Sequence, residues 1–475
     1  MNRPELPLLV ALAALVGGAG AVAARSPAAG STTAIEHVSV VGIGGSRPIS
    51  DATVLVVGQR IAWVGPTARA RLPRSVRRID ARGKFLIPGL WDMHVHIFNN
   101  GSHPGTDNHA RYFPLFIANG VTGVRDMWTD ADDVSRLRGW RRAIAVGTVI
   151  GPRIVAASPI FDGVPVEQPN SLGVTTPAVG RDGVRAAKAA GSEFIKVYDR
   201  LPRDAYFAIA DEARRQRLPF AGHIPHSVRA TEAASAGQAS VEHLTGMLIA
   251  CSSAEDRLFP KGEPDDRASI QLTVASFDEA KCRRVARAFA SRGGWHDPTL
   301  VVLRARWRLA SEDSVDPRLR FASKEERAEW AAIDAAFMRR DGALLGKVYH
   351  SFQGILVALD AEGVGLLAGT DVGNPHVFAG SSVQDELALM VEAGVSPERA
   401  LAAATVNPAR FLHREATLGS VTAGKFADLV LLEGDPLQNI GNVRRIAGVF
   451  SNGRYFDRPA LDRMMDSAAH AAETE

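Results

Sequence analysis

PGLWDMHVH, residues 88–96, is the stretch that decides the fold and from which the rest of the chain can be interpreted. It predicts a buried strand that ends in two histidines, His94 and His96, at alternate positions. Because residues i and i+2 of a strand point to the same side, both imidazoles face one side together. Two converging imidazoles can form half of a metal site. Two core histidines that bind backbone groups would give the same letters, so the pair needs support from elsewhere in the chain.

Seven further apolar stretches predict strands, and helical patterns separate most of them. Beyond 88–96, strands are expected at 121–126, 153–160, 194–198, 219–223, 240–243, 295–302 and 365–371. Helices are expected at 111–119, 131–145, 181–190, 203–217, 228–236, 277–291 and 384–392. Eight β/α units predict the α/β class and, within it, a (β/α)8 TIM barrel over residues 81–415. Such barrels carry their catalytic groups at the C-terminal ends of the strands.

Short alternating strands and turns flank the barrel on both sides. Residues 34–80 and 416–457 are predicted to form together one small β-sandwich domain, and residues 458–475 a flexible tail. Two long segments interrupt the barrel pattern, the polar loop 248–276 and the charged helical insertion 303–360. Such segments are expected to be lids or substrate walls, or alternatively solvated decorations.

Residues 1–24 have the pattern of a secretory signal peptide. Arg3 precedes an apolar run at 6–22 that ends in a small-x-small site at residues 21–23. A transmembrane anchor is the alternative, but the run is short and contains three glycines. We therefore expect an exported protein, periplasmic or secreted, without membrane association after cleavage. Cys251 and Cys282 could form a disulfide in an oxidising compartment, or they could be two buried thiols.

Charge and composition argue against a nucleic-acid partner. The 475-residue chain has a formal net charge of only +3, and 46% of its residues are hydrophobic. That balance is ordinary for a globular protein and lacks the basic footprint of a nucleic-acid-binding protein. The oligomeric state stays open, a homo-oligomer included.

Side chains that can bind metal ions fall in or at the ends of five predicted strands. They are His94, His96, Lys196, His223, His243 and Asp371. Each one alone has an ordinary explanation, such as a core histidine or a loop-capping aspartate. Because a barrel brings its strand ends together, the joint pattern predicts a metal site.

These residues lie in motifs by which the chain resembles the amidohydrolase superfamily over nearly its whole mature length. The motifs are PGLWDMHVH, FIKVYD, GHIP, EHLTG and AGTD, together with GSVTAGKFADLV at residues 419–430. The resemblance is strongest to the branch related to imidazolonepropionase, which contains metal-dependent dipeptidases and other amide hydrolases.

The resemblance implies a binuclear metal centre with Lys196 between the two ions. His94, His96 and Asp371 would hold the more buried ion, and His223 and His243 the more exposed one. Burial favours the neutral amine of a lysine, which can add carbon dioxide and become a carbamate with two ligand oxygens. Alternatively, Lys196 is a core lysine whose ammonium pairs with an acid. Two divalent ions are expected, zinc by default, with manganese or cobalt as substitutes.

The resemblance also implies hydrolysis of a small amide or peptide substrate, either a dipeptide or an N-acyl amino acid. A hydroxide held between the metal ions would attack the carbonyl carbon, and Asp371 would pass the proton to the leaving amine. Tyr198, His226 and Arg125 are candidate substrate contacts, although Arg125 also fits a structural ion pair with an acid. Asp92 is a candidate to orient His94, or alternatively it has a purely structural role.

Three alternatives stay open from the sequence. The same binuclear centre could hydrolyse an ester or a lactone. The chain could be a mononuclear deaminase or cyclic-amidine hydrolase, although these relatives typically lack the bridging lysine. It could also be a secreted binding protein built on a disabled barrel.

Overall fold

The computed structural model describes residues 32–100, 103–104, 108–129, 131–259, 266–308, 316–337 and 341–474. The predicted signal peptide, 1–24, lies outside these ranges. The middle of the chain forms a parallel sheet whose eight main strands follow one another in chain order, as predicted, and the short strand Leu172–Gly173 pairs beside the third of them. We number these strands β1 Leu90–Val95, β2 Val121–Asp126, β3 Arg153–Asp162, β4 Phe194–Val197, β5 Phe220–Gly222, β6 Ser240–Glu242, β7 Trp295–Asp297 and β8 Gly365–Leu366.

Backbone hydrogen bonds join the two ends of this sheet and close the barrel. The amide of Met93 in β1 donates to the carbonyl of Ala368 at 2.9 Å, and the amide of Asp371 donates to the carbonyl of His94 at 2.8 Å. Val95 and Val372 form a parallel bridge at the same place. The predicted (β/α)8 barrel is therefore confirmed, and its closing seam carries three of the predicted metal ligands.

Helices cover the outside of the barrel and bury an apolar side against it. The helix Pro177–Ala190 shows why a segment begins and ends where it does. Thr176 accepts a hydrogen bond from the amide of Val179 at the start, and Gly191 ends the helix at φ 94°. The other described helices are His109–Ala118, Ala131–Val146, Arg203–Gln216, Ala230–Ala236, Met247–Ala250, Glu255–Leu258, Arg267–Ala275, Glu279–Ala290, Leu300–Arg308, Lys324–Phe337, Gly342–Ala361, Ser381–Ala393, Pro397–Ala403, Val406–Phe411 and Arg458–Thr474, with 3-10 turns at Thr67–Arg69, Pro317–Phe321 and Ile440–Arg444.

Both chain ends contribute to one further sheet, which confirms that they form one small β domain, although the strands make a single connected sheet where a β-sandwich was predicted. Its strands are Thr32–Val40, Ile49–Val57, Arg60–Pro66, Arg77–Asp80, Phe85–Pro88, Leu429–Leu432, Ile446–Ser451 and Arg454–Asp457. Phe85–Pro88 joins the two halves, because it pairs in parallel with Thr32–Val40 and antiparallel with Leu429–Leu432. That strand lies inside the range predicted for the barrel. Its residues alternate between the core of the small domain and the base of the barrel, which hides the boundary in the sequence.

Two expectations for the periphery need correction. The predicted flexible tail is the helix Arg458–Thr474, which packs against His109–Ala118 and buries Leu461 and Met464. The predicted insertion 303–360 is only partly an addition, because its last helix, Gly342–Ala361, contributes Ile355, Leu356 and Leu359 to the barrel core. The open question of the cysteines is settled, since Cys251 and Cys282 form a disulfide. Among the described residues, the helices are too short or too polar to cross a membrane.

Candidate active site

The predicted ligands converge at the C-terminal end of the barrel, and the backbone there is unusual. His94 lies in β1 and His96 directly after it, while His243 and Asp371 follow β6 and β8. His243 and Asp371 have left-handed backbone conformations, with φ of 57° and 63°. A non-glycine residue adopts this conformation at a cost in free energy, and such residues cluster at functional sites. The strained turns direct both side chains inward over the strand ends.

His94, His96, His243 and Asp371 form one cluster. Nε2 of His96 lies 2.8 Å from Oδ1 of Asp371, and Nε2 of His94 lies 3.4 Å from the same oxygen. Nδ1 of His243 is 3.9 Å from Oδ2 of Asp371. The His94 and His243 rings have centroids 4.5 Å apart. Residues from three strands thus place three imidazoles around one carboxylate.

His223 and Lys196 lie next to this cluster. The rings of His223 and His243 are 5.0 Å apart, edge to face. The Lys196 side chain is fully buried, and its ammonium interacts electrostatically with Glu242 and Asp371. No carboxylate of the described residues is close enough to form a salt bridge with it. The structure therefore brings all six predicted ligands together, and it does not show the acid partner that an ordinary core lysine would need.

Burial sets the protonation states of the cluster. It holds the pKa of His94 well below its usual value and lowers the pKa of His243 to about 3, so both rings are neutral at physiological pH. The surrounding imidazoles hold the pKa of Asp371 well below its usual range despite burial, so this carboxylate is ionised. Desolvation lowers the pKa of Lys196 to about 8. Neutral imidazoles and an ionised carboxylate are the forms that bind metal ions.

In three of the histidines, Nδ1 forms a hydrogen bond that the sequence did not predict. Nδ1 of His94 contacts Glu242 at 3.0 Å, Nδ1 of His223 contacts Asp199 at 2.9 Å, and Nδ1 of His243 contacts Thr299 at 2.7 Å. Glu242 precedes the predicted ligand His243, and Asp199 follows the predicted substrate contact Tyr198. Only the three-dimensional structure shows which imidazole each acid binds.

Asp92 contacts the backbone of His94 and not its ring. Its carboxylate accepts hydrogen bonds from the backbone amides of His94 and Thr370 and from the Thr370 hydroxyl. Burial raises the pKa of Asp92 to about 7. Asp92 therefore ties β1 to the turn after β8, and it supports the ligands through their backbone.

The predicted substrate contacts differ in position. Tyr198 stacks on His223 with ring centroids 4.1 Å apart, and its hydroxyl lies 3.3 Å from Nε2 of Gln168. The side chain of His226 is half-buried just past β5. Arg125 is not placed to contact a substrate, because its side chain is fully buried in the barrel interior, and it forms the alternative that the sequence left open, an ion pair with an acid, Glu242. The Arg125 side chain points inward from β2, and Glu242 on β6 lies close enough to pair with it.

The donor set fits a metal centre. Ligand atoms of His94, His96 and Asp371 all lie within 4.8 Å of one another. One nitrogen of each of three histidines is occupied by a supporting hydrogen bond, which is how metal-binding imidazoles are commonly oriented.

A closed barrel with this cluster at its strand ends defines the protein as an enzyme of the (β/α)8 class. Residues 85–455 match the model of the amidohydrolase family. The chain belongs to the amidohydrolase family, as its motifs predict.

Relatives agree with this assignment over most of the chain. The ochratoxinase of Aspergillus niger is 25% identical over 88% of this chain and 85% of its own length. The imidazolonepropionase of Pseudomonas syringae pv. tomato is 26% identical over 83% of this chain and 90% of its own length. Among solved structures, the bottromycin amidohydrolase superposes with a TM-score of 0.72 at 25% identity, over 93% of this chain and 90% of that one. A Xaa-Pro dipeptidase with bound methionine has the same fold, with a TM-score of 0.63 at 20% identity, over 90% of this chain and 100% of that one. The protein is therefore a hydrolase that acts on C–N bonds.

Proposed function

We propose that the protein is an exported, metal-dependent amidohydrolase that cleaves the amide bond of a dipeptide or an N-acyl amino acid. The observation that carries this proposal is the convergence of His94, His96, His243 and Asp371 beside the buried amine of Lys196. Two divalent ions, zinc by default, would supply an activated water and polarise the substrate carbonyl. His223 would complete the ligand set at the more exposed position.

Lys196 would serve as the bridging ligand after modification. A pKa of about 8 leaves a fraction of the amine neutral at physiological pH. A neutral amine can attack carbon dioxide, so that an N–C bond forms and a proton leaves the nitrogen. The resulting carbamate is an anion with two oxygens, which can serve as metal ligands.

Asp371 is the proposed proton carrier. Its carboxylate is ionised and contacts two imidazoles, so it is placed to accept a proton near the reacting carbonyl and to donate it to the departing amine. The ring of Tyr198 covers one side of His223, where its hydroxyl can donate to a substrate oxygen. His226, half-buried just past β5, is a second candidate contact.

The segment Lys324–Phe337 is the proposed wall of the substrate site. Trp330 packs against Phe378, and Asp334 contacts His376 at 3.1 Å. Phe378 and His376 belong to the loop that follows Asp371. A side chain on this wall can therefore influence the position of the proton carrier and of the bound substrate.

Export is part of the proposal. The leader pattern at 1–24 supports it, and so does the Cys251–Cys282 disulfide, because disulfides persist mainly in oxidising compartments. Expression with the leader, followed by fractionation and determination of the mature N-terminus, tests this point. An uncleaved protein in the cytosol would contradict it.

The function is tested with purified, metal-loaded protein in bicarbonate buffer. The substrates are Xaa-Pro and other dipeptides, N-acyl amino acids including N-acyl-phenylalanines, and a parallel set of lactones and esters. The names of the relatives support the choice of the amide set. Hydrolysis of an amide that Asp371→Asn abolishes is the expected result. Turnover of lactones or esters alone, or of no compound, would overturn the proposal.

A further inference from the structure

We propose that Glu242, held by Arg125, is the positioning residue that fixes the His94 ring for metal binding at the more buried position. This inference rests on the metal centre of the proposed function and adds to it a residue outside the predicted ligand set. Glu242 would touch neither ion nor substrate. It would act through His94 alone.

The contacts of Glu242 leave its carboxylate little freedom. Oε2 lies 3.0 Å from Nδ1 of His94 and 2.8 Å from Nη2 of Arg125, and Oε1 accepts a hydrogen bond from the Ser240 hydroxyl. Ser240 is itself bound by Nη1 of Arg125 at 2.9 Å. Glu242, Arg125 and Ser240 are fully buried. Each oxygen of the carboxylate thus has a partner at a fixed place.

Arg125 is in turn fixed to the strand that carries His94. Its Nε donates to the carbonyl of Met93 at 2.5 Å. The guanidinium therefore links the backbone beside His94 to the acid behind the His94 ring. A movement of Glu242 would have to break hydrogen bonds on both sides of this link.

Glu242 and His243 reach the site in different ways. Ser240 and Glu242 lie two residues apart in β6, so both face the barrel interior, where they bind Arg125. Strand alternation would turn His243 away from that face, and the φ of 57° at His243 breaks the alternation. Glu242 therefore lies behind the His94 ring, and His243 joins the ligand cluster.

The contact determines which nitrogen of His94 binds a metal ion. A carboxylate paired with a guanidinium offers only hydrogen-bond acceptors, so Nδ1 of His94 must carry the proton. The lone pair then lies on Nε2, which faces Asp371 at 3.4 Å. An acceptor behind a ligating imidazole also increases its basicity.

His96 provides a contrast on the same strand end. Its Nδ1 is buried, and among the described residues it has no hydrogen-bond partner. His96 meets an anion only at Nε2, where Asp371 lies at 2.8 Å, whereas His94 has a carboxylate behind its ring at Nδ1. Loss of Glu242 should therefore affect the more buried position first, because His94 and His96 share it.

The test measures metal affinity rather than activity alone. Wild type, Glu242→Ala and Glu242→Gln are stripped of metal, and Zn2+ dissociation constants are determined by chelator competition. The absorption spectrum of the Co2+-loaded proteins reports the ligand geometry. Glutamine keeps an acceptor for His94 and Arg125 but loses the charge, and it guards against a fold that does not tolerate alanine. Glu386→Gln is the matched control, because Glu386 is equally buried but binds the amides of Leu300 and Val301.

We expect Glu242→Ala to weaken the tighter Zn2+ site by about 10- to 100-fold and to change the Co2+ spectrum. Glu242→Gln should lie between alanine and wild type, and Glu386→Gln should match wild type. Wild-type affinity in a folded Glu242→Ala or Glu242→Gln protein would overturn the inference while the proposed function stands. Equal losses in Glu242→Gln and Glu386→Gln would also overturn it. Absence of metal binding by the wild type would overturn the proposed function itself.

Discussion

Oδ1 of Asp371 lies 2.8 Å from Nε2 of His96, although 275 residues separate them in the chain. The seam that closes the barrel creates this contact, because the amide of Asp371 donates to the carbonyl of His94. The backbone hydrogen bond of Asp371 and the contact of its carboxylate with His96 therefore both position the carboxylate. Its function can be tested without disturbing that backbone.

Asp371→Asn should reduce amide hydrolysis by about 1000-fold and leave the fold intact. Asparagine has the same shape and tolerates the left-handed φ of 63°, but it cannot accept the proton. The rate and the bound metal are both measured, the latter by elemental analysis. The control is His413→Asn, an exposed histidine that also has a positive φ and should keep the wild-type rate. Undiminished turnover by Asp371→Asn would rule out its role as proton carrier.

Lys196→Met should lower the bound metal from two ions to one or fewer, because methionine fills the buried space but cannot form a carbamate. Lys196→Glu restores an anionic group and should recover part of the metal. In wild type, 13C-labelled bicarbonate should give a carbamate carbon signal by NMR. Two tightly bound ions in Lys196→Met would contradict the bridging role.

The sequence was sufficient for the barrel and for the ligand candidates because both follow local rules. A buried strand is visible as an apolar run, and a ligand at its end is visible as a histidine or an acid. Contacts between strands do not follow such rules. Glu242 lies behind the His94 ring because of the register across the barrel, and His243 joins the cluster because its positive φ breaks the strand alternation. Neither relationship follows from the sequence around these two residues.

The correction at Arg125 has the same origin. The sequence left open whether the Arg125 side chain contacts substrate or pairs with an acid. Ser240 and Glu242 both point inward at the register position that faces Arg125, and they satisfy its charge. The register of non-adjacent strands across the barrel determines this contact, and the register cannot be predicted from a single sequence.

The disulfide should stabilise the fold by about 3 kcal/mol, since it closes a separation of 31 residues. Reduction should therefore lower the midpoint of urea denaturation of the wild type. Cys251→Ser/Cys282→Ser should have that lower midpoint with and without reductant. If reductant leaves the wild-type midpoint unchanged while free thiols are detected, the bond contributes nothing measurable to stability.

His296 should make the protein sensitive to acid. Its two ring nitrogens are buried, have no hydrogen-bond partner among the described residues, and pack at 4.6 Å against Phe289. Burial lowers the pKa of His296 to about 3 from an ordinary 6.5. Between pH 6.5 and about 3 the histidine is protonated in the unfolded chain but neutral in the folded one. The free energy of unfolding therefore falls as pH decreases through this window, and the contribution of His296 is fully present above it.

His296→Leu should remove this contribution, which amounts to about 1.4 kcal/mol per pH unit within the window. The measurement is the urea midpoint of metal-free protein at pH 7 and pH 4. The loss between the two pH values should be smaller in His296→Leu than in wild type, whereas His413→Asn should follow wild type. An identical loss in all three proteins would show that His296 does not titrate in this way.

The C-terminal helix should be required for stability, although its sequence resembles a tail. Leu461, Met464, Ala468 and Ala472 recur at helical spacing and are buried against the rest of the chain. Leu461→Ala should lower the free energy of unfolding by about 2 to 5 kcal/mol, because it deletes a fully buried side chain and leaves a cavity. Arg463→Ala, on the exposed side of the same helix, should change it by less than about 0.5 kcal/mol. Equal stability of the two variants in urea denaturation would mean that the helix detaches in solution.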